Sequence, residues 1–163
     1  MHKKQLISKG KPLQEAAGVL ILLHGRGASA EDILTLAPHL QVKDYALIAP
    51  QAANHTWYPY PFLEKPANYE PWLSSALQVL TEIVQDVEAS GVAKERICWL
   101  GFSQGACLTL EFTARHAAKY GGIVAFTGGL IGDRLYTENY AGDFAGTPVF
   151  MGTSDPDPHV PVE

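Results

Sequence analysis

Apolar positions along the chain fall into two kinds of run. In the first kind every position is apolar or glycine: Val19-Leu20-Ile21-Leu22-Leu23, Ala46 to Ala49, Ile97 to Gly101, Ile123 to Phe126 and Val149 to Met151. Short runs without polar alternation predict strands covered on both faces, as in parallel sheets. In the second kind apolar residues recur every three or four positions. Leu73, Ala76, Leu77, Leu80, Ile83, Val84 and Val87 form such a stripe and predict a helix over 72–89, closed by Gly91. Weaker stripes predict helices over 31–40 and 104–118. Residues 4–8 and 12–15 flank Gly10-Lys11 and are expected to form an edge hairpin. Strand and helix alternating in this way predict one α/β domain over 1–163, a mostly parallel sheet with helices on both faces.

One stretch has neither period. Residues 51–70 hold His55, Trp57, Tyr58, Tyr60, Phe62 and Tyr69 among several prolines. A long irregular segment in a compact domain is usually functional, so Trp57, Tyr58, Tyr60 and Phe62 are expected to shape a substrate pocket.

Composition narrows the function classes. Twelve basic residues against 17 acidic give a net charge of −5, with no basic cluster to serve nucleic acid. No apolar run approaches the roughly 20 residues needed to span a bilayer. The first 15 residues contain no apolar h-region, so no signal peptide is expected and the sequence reads as cytoplasmic. Cys98 and Cys107 lie in apolar segments and read as buried free thiols. Neither CxxC nor HExxH is present, so no metal site is expected.

Candidate chemistry sits where strands end. Gly101-Phe102-Ser103-Gln104-Gly105 lies between an expected strand and an expected helix, the context of a G-x-S-x-G elbow. Such a turn holds the serine in a strained backbone conformation, lifts its Oγ above the sheet, and leaves helix N–H groups beside it. Leu23-His24-Gly25-Arg26-Gly27 ends the first buried strand on the same edge. The main-chain N–H groups of Arg26 and Gln104 therefore read as an oxyanion hole, with His24 shaping the loop by hydrogen bonds. After the last expected strand comes Ser154-Asp155-Pro156-Asp157-Pro158-His159-Val160-Pro161. A carboxylate here can orient an imidazole, and Asp155 and Asp157 compete for that role.

These segments, LHGRG, GFSQGA and SDPDPHVP, with TWYPYPF between the first two, resemble the phospholipase/carboxylesterase family of the α/β-hydrolase fold, which includes acyl-protein thioesterases. The resemblance implies a cofactor-free serine hydrolase of carboxylic esters or thioesters, with a small-molecule substrate and a homodimer left open. By it Ser103 is the nucleophile, Arg26 and Gln104 supply the oxyanion N–H groups, and the D-P-x-V-P pattern makes Asp157 the triad acid. Asp155, which keeps the family's offset from Gly152, is the alternative.

The family's histidine follows one more strand, and no histidine in this chain stands in that position. His2, His39, His55 and His116 lie on the wrong elements, and His159 follows the acid too closely. The expectation is therefore of a C-terminally incomplete hydrolase, lacking the catalytic histidine, a last strand and a last helix. Two other readings compete. One is a non-catalytic α/β binding domain, favoured by the missing histidine. The other is a dienelactone hydrolase-like enzyme, although those mostly carry cysteine where this chain has Ser103.

Overall fold

The computed structural model describes residues 1–157. Among them the sheet has six strands: β1 Leu6–Gly10, β2 Gly18–Leu23, β3 Tyr45–Pro50, β4 Ile97–Phe102, β5 Gly122–Phe126 and β6 Val149–Gly152. Their spatial order is β1-β3-β2-β4-β5-β6, with every pairing parallel except β1 against β3. Three α-helices lie between the strands, α1 Ala30–Leu34, α2 Trp72–Ala89 and α3 Gln104–Arg115.

The unbroken apolar run of β2 has a direct cause. All six of its residues are buried, and successive side chains enter different cores. Val19, Ile21 and Leu23 pack with α2, α3 and Trp99 on one face, whereas Leu20 and Leu22 pack with Ile33 and Leu34 of α1 on the other. Helix α2 has the expected bounds, with Leu73, Ala76, Leu80, Ile83, Val84 and Val87 facing the larger core. Gly91 at φ +90° turns the chain after it.

Three expectations are corrected. The hairpin between 4–8 and 12–15 does not form. Pro12 has no N–H to give a ladder, and β1 pairs antiparallel with β3 instead, Leu6 opposite Pro50. The helix expected over 31–40 stops at Leu34. A capping box of Ser29 and Asp32 starts it, but the ring of Pro38 conflicts with the Leu34 carbonyl, and only a 3₁₀ turn follows at Ala37–His39. Helix α3 ends at Arg115 rather than Ala118, because Ala117 leaves to bridge Gly142 and donates to the Ala141 carbonyl at 3.2 Å.

The segment between β5 and β6 is tied to α3 by one buried carboxylate that the periodicity did not single out. Glu111 is fully enclosed, pairs with Arg115 at 2.7 Å, and accepts from Ile131 N at 3.1 Å and the Tyr140 hydroxyl at 3.2 Å. These bonds satisfy both carboxylate oxygens, as a buried charge requires.

Among the described residues no strand pairs with the outer edge of β6. Val149, Phe150 and Met151 are 48%, 56% and 57% exposed there. An apolar unpaired edge is a template for association. Residues 1–163 expressed alone should therefore self-associate at roughly 10–100 μM, and Phe150→Lys should reduce it. Size-exclusion chromatography with light scattering checks both, and a monodisperse monomer without the substitution contradicts the expectation.

Candidate active site

Strand register brings the chemistry-bearing segments to one edge. Leu23 is level with Gly101, Phe102 with Phe126, and Phe126 with Gly152. The residues that follow, His24 to Gly27, Ser103, Thr127 and Thr153 to Asp157, therefore all leave the sheet at its carboxyl edge, where parallel α/β sheets hold their ligands. Two main-chain bonds extend this alignment, Ser103 N to Phe126 O at 2.8 Å and Thr127 N to Gly152 O at 2.6 Å.

Ser103 stands between β4 and α3 with φ 53° and ψ −119°, a region that costs about 1–3 kcal/mol for a residue with a Cβ. The flanking glycines permit the turn. A Cβ on Gly105 would overlap the Leu23 and His24 carbonyls, and one on Gly101 would overlap the main chain of Gly105 and Ala106. Its side chain does not cap α3, so the hydroxyl is not spent on the helix it precedes. Gln104 N is among the first donors of that helix, which have no intrahelical acceptor. In the Gly25–Ala28 turn, Gly27 N donates to His55 O at 2.7 Å and Ala28 N to Gly25 O at 3.2 Å, and the N–H of Arg26 takes part in neither bond.

Ser103, Gln104 and Arg26 line a cavity of 420 Å³ together with Tyr58, Pro61, Phe62 and Cys107. Two of the aromatic residues expected there lie elsewhere. Trp57 is wholly enclosed, its ring tilted 34° against that of His24 at 5.2 Å between ring centres, and donates its indole N–H to the His24 carbonyl at 2.9 Å. Its size and polar handle serve the core. Tyr60 is half exposed and outside the lining. Pro61 and Cys107 were not anticipated. The Cys107 thiol is pushed above its usual pKa, chiefly by burial, so it is a protonated wall group rather than a thiolate nucleophile. Both cysteines are free. A second cavity of 500 Å³, lined largely by Leu63, Leu110, Leu130, Leu135, Phe144 and Met151, lies beside β6. The hydroxyl in its lining, that of Thr113, donates back to Thr109 O at 2.8 Å.

Five of the six histidines are described, and none bonds Ser103 among the described residues. His24 is fully enclosed: Nδ1 donates to Gly25 O at 2.7 Å and Nε2 accepts from Ala52 N at 3.1 Å. His2 is engaged in the same way, Nε2 donating to Trp57 O at 2.9 Å and Nδ1 accepting from Ala53 N at 3.1 Å. Burial lowers the pKa of both. His55 bonds Ala28 O through Nδ1 at 2.8 Å, His116 packs on Phe112, and His39 ends an exposed 3₁₀ turn. His159 and the rest of the P-H-V-P segment lie outside the described residues. Of the two candidate acids, Asp157 is half-buried and accepts from Ser154 Oγ at 3.2 Å, while Asp155 is exposed. No group of histidine, cysteine and carboxylate side chains able to hold a metal ion occurs among the described residues, and none of their helices is long and apolar enough to cross a membrane.

Residues 4–163 match the phospholipase/carboxylesterase family. An acyl-protein thioesterase 1 of Kluyveromyces lactis is 31% identical over 184 aligned positions, covering 100% of this chain and 78% of its own length. The acyl-protein thioesterase 1 of Saccharomyces cerevisiae is 30% identical, covering 92% and 74%. Among solved structures, a phospholipase/carboxylesterase from Dyadobacter fermentans is 53% identical with a TM-score of 0.97, covering 99% of this chain and 77% of that one.

The buried histidines generate a pH dependence. A histidine whose pKa is lower folded than the unfolded value of about 6.5 is less protonated in the native state, so stability rises with pH across the interval between the two values. The contribution of His24 should be complete above about pH 6.5 and lost as pH falls below it. Urea unfolding of the full-length protein at pH 5.5, 6.5 and 7.5 should show a shallower slope in His24→Gln, which cannot titrate. Equal slopes would show that His24 does not titrate with folding.

Proposed function

Because the chain belongs to the phospholipase/carboxylesterase family and is a hydrolase of esters or thioesters, we propose that Ser103 is its nucleophile. The observation that carries this reading is the strained Ser103 at the head of α3, held between two sterically required glycines at the carboxyl edge of the sheet.

In this reaction the Ser103 oxygen bonds the acyl carbon while its proton passes to a histidine base. The carbonyl oxygen becomes an oxyanion that accepts from Arg26 N–H and Gln104 N–H. Donors fixed in advance need no reorganisation as charge develops, which gives such sites much of their effect. The alkoxide or thiolate leaves with the proton from the base, and water then cleaves the acyl-enzyme. Asp157 orients the imidazole and stabilises its cation. The base itself is a histidine that this chain does not carry. That assignment is supported by the occupied ring nitrogens of His2 and His24, and by the relatives, of whose length the chain spans about three quarters.

The acyl group would lie against Tyr58, Pro61 and Phe62, an apolar wall suited to hydrocarbon. The thioesterase names of the yeast relatives bring thioesters into the substrate class beside oxyesters.

Fluorophosphonate labelling and p-nitrophenyl ester hydrolysis by the full-length protein test this reading. Ser103→Ala should abolish labelling and lower kcat by about 10⁴–10⁶; a loss below about tenfold would assign the reaction elsewhere. Asp157→Asn should cost about 10⁴ in kcat with the fold intact, because an amide no longer holds the right tautomer. Asp155→Asn should cost a few-fold at most, and the reverse pattern would make Asp155 the triad acid.

A further inference from the structure

The segment Thr56–Tyr60 belongs to no helix or strand, so its main-chain polar groups have no ladder to join and must be satisfied otherwise. His2 Nε2 serves Trp57 O at 2.9 Å and Thr56 Oγ1 lies 3.0 Å from Tyr58 O, but most of the side-chain partners belong to the two residues assigned to the oxyanion hole. Gln104 is 5% exposed. Its Oε1 accepts from Trp57 N at 2.8 Å and from Thr56 Oγ1 at 3.2 Å, and its Nε2 donates to Tyr58 O at 2.7 Å. Arg26 continues the series, donating to Pro59 O and Tyr60 O at 2.7 Å each. From Trp57 to Tyr60, every residue gives one main-chain group to one of these two side chains.

We propose that Gln104 and Arg26 act twice, their main-chain N–H groups holding the oxyanion and their side chains fixing the Thr56–Tyr60 segment, so that Gln104 is a positioning residue that sets acyl-chain selectivity. The inference rests on the assignment of Ser103 as nucleophile. Tyr58 lines the cavity directly, and Pro61 and Phe62 follow Tyr60 without a break. The distance from the oxyanion hole to the acyl wall is therefore spanned by single side chains rather than by an independent loop. The chemistry calls for glutamine. The buried group must accept from an N–H and donate to a carbonyl at once. A carboxylate would face the Tyr58 carbonyl without a proton to give, and leucine would leave Trp57 N–H unpaired and Tyr58 O with the Thr56 hydroxyl alone, at 3.0 Å.

The test uses the full-length protein, with p-nitrophenyl acetate and hexanoate as paired substrates and rates taken per fluorophosphonate-titrated site, which removes any misfolded fraction. In Gln104→Leu the hexanoate-to-acetate ratio of kcat/KM should shift by about tenfold, carried mainly by KM. Gln104→Glu, which keeps the acceptor for Trp57 N–H and loses the donor to Tyr58 O, should shift it less. A ratio within about twofold of the unsubstituted protein in both variants would mean a purely structural role and overturn the proposal. If neither variant folds, Arg26→Lys decides, because lysine keeps the charge but cannot hold both carbonyls; its ratio should move in the same direction, and an unchanged ratio overturns the proposal. Hydrogen exchange of the Trp57 amide, which should quicken in Gln104→Leu, reads the clamp without catalysis, and unchanged exchange contradicts it. Absence of labelling at Ser103 in the unsubstituted protein overturns the reading beneath, and the selectivity role with it, whatever the exchange shows.

Discussion

The close approach of α3 to the end of β2 governs the geometry of this molecule. Gly105 lies where any side chain would enter the Leu23 and His24 carbonyls, and Gly101 lies where one would enter the main chain of Gly105 and Ala106. With both positions vacant of Cβ atoms, the helix starts immediately against the sheet and forces Ser103 into its strained turn. The same contact sets the first N–H of α3 beside the turn that carries Arg26. The strain at one residue is offset by the packing of Ala106, Cys107, Leu108 and Leu110 into the larger core, as stored strain at functional sites requires.

Much of this was legible from local chemistry. Strands apolar at every position, such as β2, announced a sheet covered on both faces, and the apolar stripe of α2 returned its bounds from Trp72 to Ala89. Glycines two residues either side of Ser103 announced the elbow because the turn has a steric rule that five consecutive residues can carry. The hairpin at the N-terminus failed for a reason also visible in residues. A two-residue connection at Gly10-Lys11 looked sufficient, but Pro12 could not extend a ladder and β3 offered a longer partner.

What could not be read was long-range polar pairing. Nothing in residues 51–70 says that Trp57 is enclosed beneath His24 while Tyr58 faces the cavity, since an aperiodic segment has no face to assign. Nor does the motif around Ser103 say that the Gln104 amide reaches residues more than 40 positions earlier. One signal was available: a buried helix start with an amide side chain and a neighbouring segment lacking regular structure must exchange hydrogen bonds, because both carry unsatisfied groups. His2, which ties the N-terminus to the same segment through Trp57 O and Ala53 N, had no such signal.

In the proposed reaction the turn at Ser103 and the two N–H groups beside it act as one preorganised acyl-transfer site. A crystal structure of the full-length protein carrying a phosphonate adduct tests it most directly. Phosphorus should be bonded to Ser103 Oγ, with one phosphoryl oxygen about 2.7–3.1 Å from both Arg26 N and Gln104 N. A phosphoryl oxygen directed to solvent, or an adduct on any other residue, would contradict it.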